Sequence, residues 1–258
     1  MSNYFDIKRF SLLLNKHTSE HISSYFIAVL ALFGLLFSVV LFFTPLNNGK
    51  ISVYFQRDIF LCFLWLAGSV FASTVFANLG NNKKASVELM LPSSHFEKFL
   101  VSWIYSYLLF QLVYVGVFYL VMFIASSLAY ARGNPFEIFS LGTDLKVTTW
   151  IFLFYMVFHA VAFAGSIYFR KLHFIKTVLV FFCFFVVLIL LNEPLIELIL
   201  NRDVTARIPF GKAGIVETNQ MFPLDIRKTQ KLYLIVVPII TAVLLWTASY
   251  FRLKEKEI

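Results

Sequence analysis

Ser94, His95, Phe96 and Glu97 place a hydroxyl, an imidazole, an aromatic ring and a carboxylate at four consecutive positions, with Lys98 directly after them. The Ser-x-x-Glu spacing is that of a capping box, in which the Ser94 oxygen accepts from the Glu97 amide and the Glu97 carboxylate returns to the Ser94 amide. Such a box starts a helix, and Phe96 with its neighbours supplies material for a contact. Elsewhere, groups able to do chemistry are sparse. His159 and Gln111 are the most polar side chains within long apolar stretches. Either is a candidate to line a pathway, although a lone His or Gln in a bundle more commonly hydrogen-bonds a neighbouring helix. No G-x-x-x-x-G-K-[ST] phosphate loop occurs: "PFGKAG" at 209–214 has Gly-Lys without the upstream glycine or the hydroxyl residue. Neither H-E-x-x-H nor G-x-S-x-G is present. Cys62 and Cys183 each stand alone in an apolar stretch and read as small buried apolar residues, with no disulfide framework or metal motif around them. A chain so equipped is expected to have no catalytic residues and no cofactor of its own, and to receive its energy from another polypeptide.

These residues must be positioned inside a membrane. The chain is 60% hydrophobic and 14% charged, with 32 phenylalanines, and its mean hydropathy is +0.80. A water-soluble domain carries about 25% charged residues, so this chain lacks the polar surface to cover itself. Asp, Glu, Lys and Arg are absent from 22–49, 59–82, 99–131, 147–169, 177–192 and 232–251. A helix needs roughly 20 apolar residues to cross about 30 Å of hydrocarbon. Six spans are therefore expected, at about 23–45, 58–80, 98–130, 147–169, 174–192 and 231–252. The fifth run is short, but Lys176 can snorkel at one end and Glu193 can reach the interface at the other. The third is long enough, about 50 Å as a helix, to require tilt or protrusion. None of the runs alternates as the strands of a membrane barrel would. The fold class is all-α, one membrane domain over 1–258. The first run is too long for a signal peptide and is expected to stay as a span. Charge-free spans also weigh against an ion-driven carrier or proton pump, whose pathways need buried ionisable groups.

Around the spans, residues 4–18 mix Phe5, Ile7, Phe10, Leu13 and Leu14 with Asp6, Lys8, Arg9 and Lys16, a pattern that predicts a helix over 1–21 lying in the headgroup plane. Small residues four apart (Gly68 and Ala72, Ser69 and Ser73, Ser73 and Ala77, Ala160 and Ala164, Ala162 and Ser166) predict close helix packing within the chain. Residues 192–230 form the one sizeable loop, opening with Asn192 and Pro194 as a helix start. Lysine and arginine in the short loops favour both termini in the cytoplasm. The net charge of +8 then reflects membrane topology, and nucleic-acid binding is not invoked.

The amphipathic N-terminal stretch, six spans and "ELMLPSSHFEKFL" after the second together resemble the permease subunit of ABC-2-type ABC transporters. "LPSSHFEKFL" is similar to the "LP-[AS]-S-x-x-E-K-F" segment of such permeases from Bacteroidetes-like bacteria. The resemblance covers the whole chain in layout but only these residues in motif. It implies a coupling helix made of Leu91, Pro92, Ser93, Ser94, His95, Phe96, Glu97 and Lys98, which docks into a groove of a separate cytoplasmic ATPase. Phe96 would then anchor in an apolar pocket, with His95, Glu97 and Lys98 orienting the contact at its rim. The N-terminal helix would be the family's elbow and 192–230 its outer cap. Also implied are two ATPase copies holding ATP and Mg, a second permease chain, identical or different, and a place in the bacterial inner membrane. The cargo of such an exporter would be hydrophobic or amphipathic, in keeping with the aromatic, uncharged interior. "RKLH" at 170–173 is a smaller contact candidate or a plain positive-inside loop. A non-transporting assembly factor or scaffold of an envelope complex is the alternative, and a membrane enzyme lacks a catalytic constellation.

Overall fold

The computed structural model describes residues 5–46, 51–76, 93–134, 136–169, 172–201, 204–205, 214–217, 220–223 and 229–255. Six helices among them are long and apolar enough to cross a membrane. They are α1 (Ile7–Leu46), α2 (Val53–Thr74), α3 (His95–Ala131), α4 (Leu145–Tyr168), α5 (His173–Leu200) and α6 (Thr229–Glu255). Three short strands, β1 (Val204–Thr205), β2 (Gly214–Glu217) and β3 (Gln220–Pro223), pair antiparallel in sequence order between α5 and α6. The protein is an all-α multi-pass membrane protein with this small sheet appended.

Local chemistry sets the helix starts. Asp6 caps α1, its carboxylate accepting from the Lys8 amide at 2.8 Å. Ser52 caps α2 through the Phe55 amide at 3.3 Å, and Asp144 caps α4 through the amides of Lys146 and Val147 at 3.1 and 3.2 Å. Asn201 ends α5 in the left-handed region at φ 50°, a conformation asparagine tolerates, with its amide on the Glu197 carbonyl.

Three elements differ from expectation. The amphipathic N-terminal stretch is helical but not set apart: α1 is one helix of 40 residues, about 60 Å long. No proline or glycine lies between Ile7 and Phe33 to break it. Helix α5 does not stop at 192 but continues through Pro194, which is inside the helix and not at a new start. A proline in a membrane helix removes one backbone bond without ending the helix where neighbours re-satisfy the freed group. The loop between α5 and α6, expected only to open with a helix, contains the β2–β3 pair, with Ile215 opposite Phe222 and Val216 opposite Met221. Leu91, Pro92, Ala77, Arg170 and Lys171 lie outside the described residues.

Helix α4 is the central element. In its most apolar stretch 56% of residues are buried, against 6% for α5, which lies at the periphery. Small residues set the approach of its neighbours. A β-carbon on Gly68 of α2 would run into the Tyr155 ring of α4, and one on Gly165 of α4 would overlap the Thr177 side chain of α5. Gly68, Ala72, Ser73, Ala160, Ala162, Ala164 and Ser166 are all buried, so the small-residue pattern is used for packing inside the chain. Two apolar clusters result. The larger joins α1, α2, α3 and the first half of α4 around Phe60, Tyr114, Phe118 and Tyr155. The smaller gathers Ala72, Phe76, Phe163, Ile167 and Leu253 near the C-terminal end of the chain.

Candidate functional site

Glu97 is the hub of the face where the starts of α1 and α3 meet the C-terminal part of α6. The capping box forms as its spacing predicts: the Glu97 amide donates to Ser94 Oγ at 3.2 Å, and the Ser94 amide donates to Glu97 Oε2 at 2.9 Å. The other carboxylate oxygen reaches across the fold. Glu97 Oε1 accepts from the Asp6 amide at 2.8 Å and from Arg9 Nη2 at 3.2 Å. The Glu97 side chain is 0% exposed and Arg9 28%. A carboxylate so enclosed is tolerable because an opposite charge, the Ser94 and Asp6 amides, and the positive end of α3 compensate its lost hydration. One side chain therefore satisfies the start of α3 and fastens the start of α1 to it.

Aromatic rings extend this joint to α6 and α4. Phe96 stands between Phe5 and Tyr250, with ring centroids 6.2 and 6.1 Å away and edge-on geometry. Phe99 touches Tyr250 at 5.7 Å and Phe163 at 5.5 Å, again edge-on. Such pairs contribute about 0.5–1.5 kcal/mol each beyond their burial. Phe96 nevertheless keeps 45% of its surface exposed. The turn of helix from His95 is thus bonded to α1 and α6 on one side and presents half of an aromatic ring on the other.

Further along α3, residues Ile104–Leu109 are π-helical, a widening often found at functional sites. Ser106 in this segment binds His159 of α4, Nε2 to Oγ, at 2.9 Å, while Trp246 of α6 donates to His159 Nδ1 at 3.3 Å. An indole N–H can only donate, so Nδ1 is the acceptor nitrogen and Nε2–H donates to Ser106. The Ser106 hydroxyl donates in turn to the Ser102 carbonyl at 2.8 Å. The chain Trp246, His159, Ser106, Ser102 is complete, with a neutral imidazole and every donor used. It links α6, α4 and the π segment of α3.

The residues singled out from sequence thus separate into distinct places. Ser94, His95, Phe96, Glu97 and Lys98 begin α3, and Ser93 directly precedes them. Glu97 is not at the rim of an open surface, because its carboxylate is consumed inside the fold; Phe96 is the exposed member. His159 is fully enclosed and bridges helices, so it lines no open path in this conformation. Gln111 carries a buried amide nitrogen without a hydrogen-bond partner among the described residues, and its side-chain hydrogen bond is with Tyr107 on the same helix. Cys62 and Cys183 are exposed on the outer surfaces of α2 and α5 and not buried, a correction to the sequence reading: lipid-facing positions accept cysteine as a small apolar residue too. Sequence reasoning missed Gln56. It is fully buried and donates to the carbonyls of Ile51 and Glu137 at 3.1 and 2.7 Å while accepting from the Phe139 amide at 2.8 Å. It pins the α3–α4 connection to the start of α2. Its position in the first turn of α2, at the edge of an uncharged run, was the available signal.

No family model, curated protein or solved structure matches this chain.

Proposed function

We propose that this chain is the membrane-spanning subunit of an ATP-driven ABC exporter, moved by a separate ATPase that grips the start of α3 from the cytoplasm. The observation that carries the reading is the joint at Glu97. A short, firmly capped helical turn presents Phe96, and the same turn is fastened to α1 through Arg9 and Asp6 and to α6 through Tyr250. A partner that seats Phe96 in a pocket and then moves displaces three spans together. Packed interfaces have a few discrete arrangements, so such a push shifts the bundle between packings. The π segment, a few residues further on, is where α3 departs from regular geometry and so where bending is easiest. A hydrophobic or amphipathic cargo agrees with the uncharged, aromatic interior. A second permease chain, two ATPase copies carrying ATP and Mg, and the bacterial inner membrane with both termini inside complete the proposal.

The test is affinity purification in mild detergent followed by identification of co-purifying chains. An ATPase with a phosphate-binding loop is expected. Phe96→Ala is expected to lower its retention about tenfold or more, the loss of one anchor residue at a contact. Leu112→Ala, on the outer surface of the same helix and 75% exposed, leaves retention unchanged. Equal retention in wild type and Phe96→Ala, with the helical fold intact, removes the docking assignment.

A further inference from the structure

Between α1, α2 and α3 lies a cleft of about 580 Å³, inside the roughly 300–1,000 Å³ range of small-molecule sites. Its walls are apolar, formed by Leu32 of α1, Leu66 and Val70 of α2 and Val113 of α3, among others. Leu66 and Val70 are 63% and 44% exposed, so the cleft opens sideways, toward lipid. On α1 the lining runs from Tyr25 to Leu35. That is about 15 Å of helix at 1.5 Å per residue, or half of a hydrocarbon core of about 30 Å. The cleft is as long as one leaflet is deep.

Its two ends differ in chemistry. At the end nearer the N-terminus stand Tyr25 and Tyr105, their rings stacked at 5.7 Å. The Tyr25 hydroxyl is hydrogen-bonded to His17 Nε2 at 2.7 Å, and the Tyr105 hydroxyl to Thr18 Oγ1. His21 lies over His17 at 4.6 Å and over Tyr25 at 5.9 Å. Lys16 follows on the same helix, 3.7 Å from Glu20. The uncharged run of α1 starts at Ile22, so these phenols and imidazoles sit at the depth where tyrosine anchors membrane proteins to headgroups. Imidazole and amine groups there complement a phosphodiester, and everything deeper complements a hydrocarbon chain.

We infer that the cleft holds one acyl chain of a glycerophospholipid from the leaflet on the N-terminal side, its phosphate lying against His21 and the Tyr25 hydroxyl. The inference does not depend on an ATPase partner, since it uses only α1, α2, α3 and the bilayer.

The whole chain is reconstituted in phosphatidylcholine vesicles containing a phospholipid with a diazirine in its acyl chain, then solubilised and washed with detergent until freely exchanging lipid is gone. Irradiation and peptide mass spectrometry locate what is retained. Label at Leu32, Val70 and Val113 is expected to exceed label at Phe182 and Phe184 on the exposed side of α5 about tenfold, the ratio for a 1.4 kcal/mol preference. Val70→Trp, which fills the cleft, brings the two down to equal levels, and His21→Ala lowers the cleft label. Equal labelling of cleft and α5 in the unaltered protein overturns the inference, as does a cleft label untouched by Val70→Trp. The comparison within the unaltered protein stands by itself if a variant does not fold.

Discussion

At the scale of single residues, the side chain with most at stake is Glu97. It accepts from its own cap, from the Asp6 amide and from Arg9, so removing it takes the carboxylate from the Ser94 and Asp6 amides and breaks the ion pair to Arg9. Glu97→Ala is expected to cost about 3 kcal/mol, in the range for breaking a buried charge pair, read as a lowered unfolding midpoint in detergent. A stability unchanged by Glu97→Ala, together with loss of a partner, would instead place Glu97 in the docking contact. Gln56→Leu strips the Phe139 amide and the carbonyls of Ile51 and Glu137 of their partner. About 2 kcal/mol of stability should go with it, again visible in the unfolding midpoint. Half of this was legible beforehand. Ser94 and Glu97 are three apart, so the local half of the box follows from spacing alone. The other half joins residues some ninety positions apart, and nothing local to Glu97 marks Asp6 or Arg9 as its partners. Gln56 escaped for the same reason, since two of its three partners, the Glu137 carbonyl and the Phe139 amide, lie on a loop beyond α3.

Among elements, the approach of α5 to α4 depends on Gly165, where any β-carbon meets the Thr177 side chain. Gly165→Ala is expected to destabilise by about 1–3 kcal/mol as an overpacked contact, and Thr177→Ala in the same chain should restore most of the loss. A double-mutant cycle with no coupling between the two would show that α5 is held elsewhere. The spans themselves were readable because hydrocarbon excludes charge, so uncharged runs mark them. Their ends were less so: α1 and α5 both continue beyond the apolar run, because helix propagation needs only backbone bonds and no breaker, whatever the side chains face. Pro194 misleads for that reason. The π-helical stretch of α3 has no sequence signature, since its residues, Ile104 to Leu109, are ordinary membrane residues. The β2–β3 pair is short, and its four-residue strands lie near the lower limit at which alternation can be recognised.

For the whole molecule, the start of α1, the start of α3 and the C-terminal part of α6 meet at one face, where Phe5, Phe96, Phe99 and Tyr250 join them. The bundle behind that joint is held by helix packing around α4 and by a hydrogen-bond chain through His159. On the proposed reading the bundle is driven from its surface, where Phe96 is 45% exposed at the point that ties three spans together. The most direct measurement is photocrosslinking in intact cells from a photoreactive amino acid replacing Phe96, with the same replacement at Leu112 as the lipid-facing control. A crosslink from position 96 to a nucleotide-binding ATPase, absent from position 112, is the predicted result. Crosslinks from position 96 to lipid alone, or to a protein on the outer side of the membrane, would contradict it.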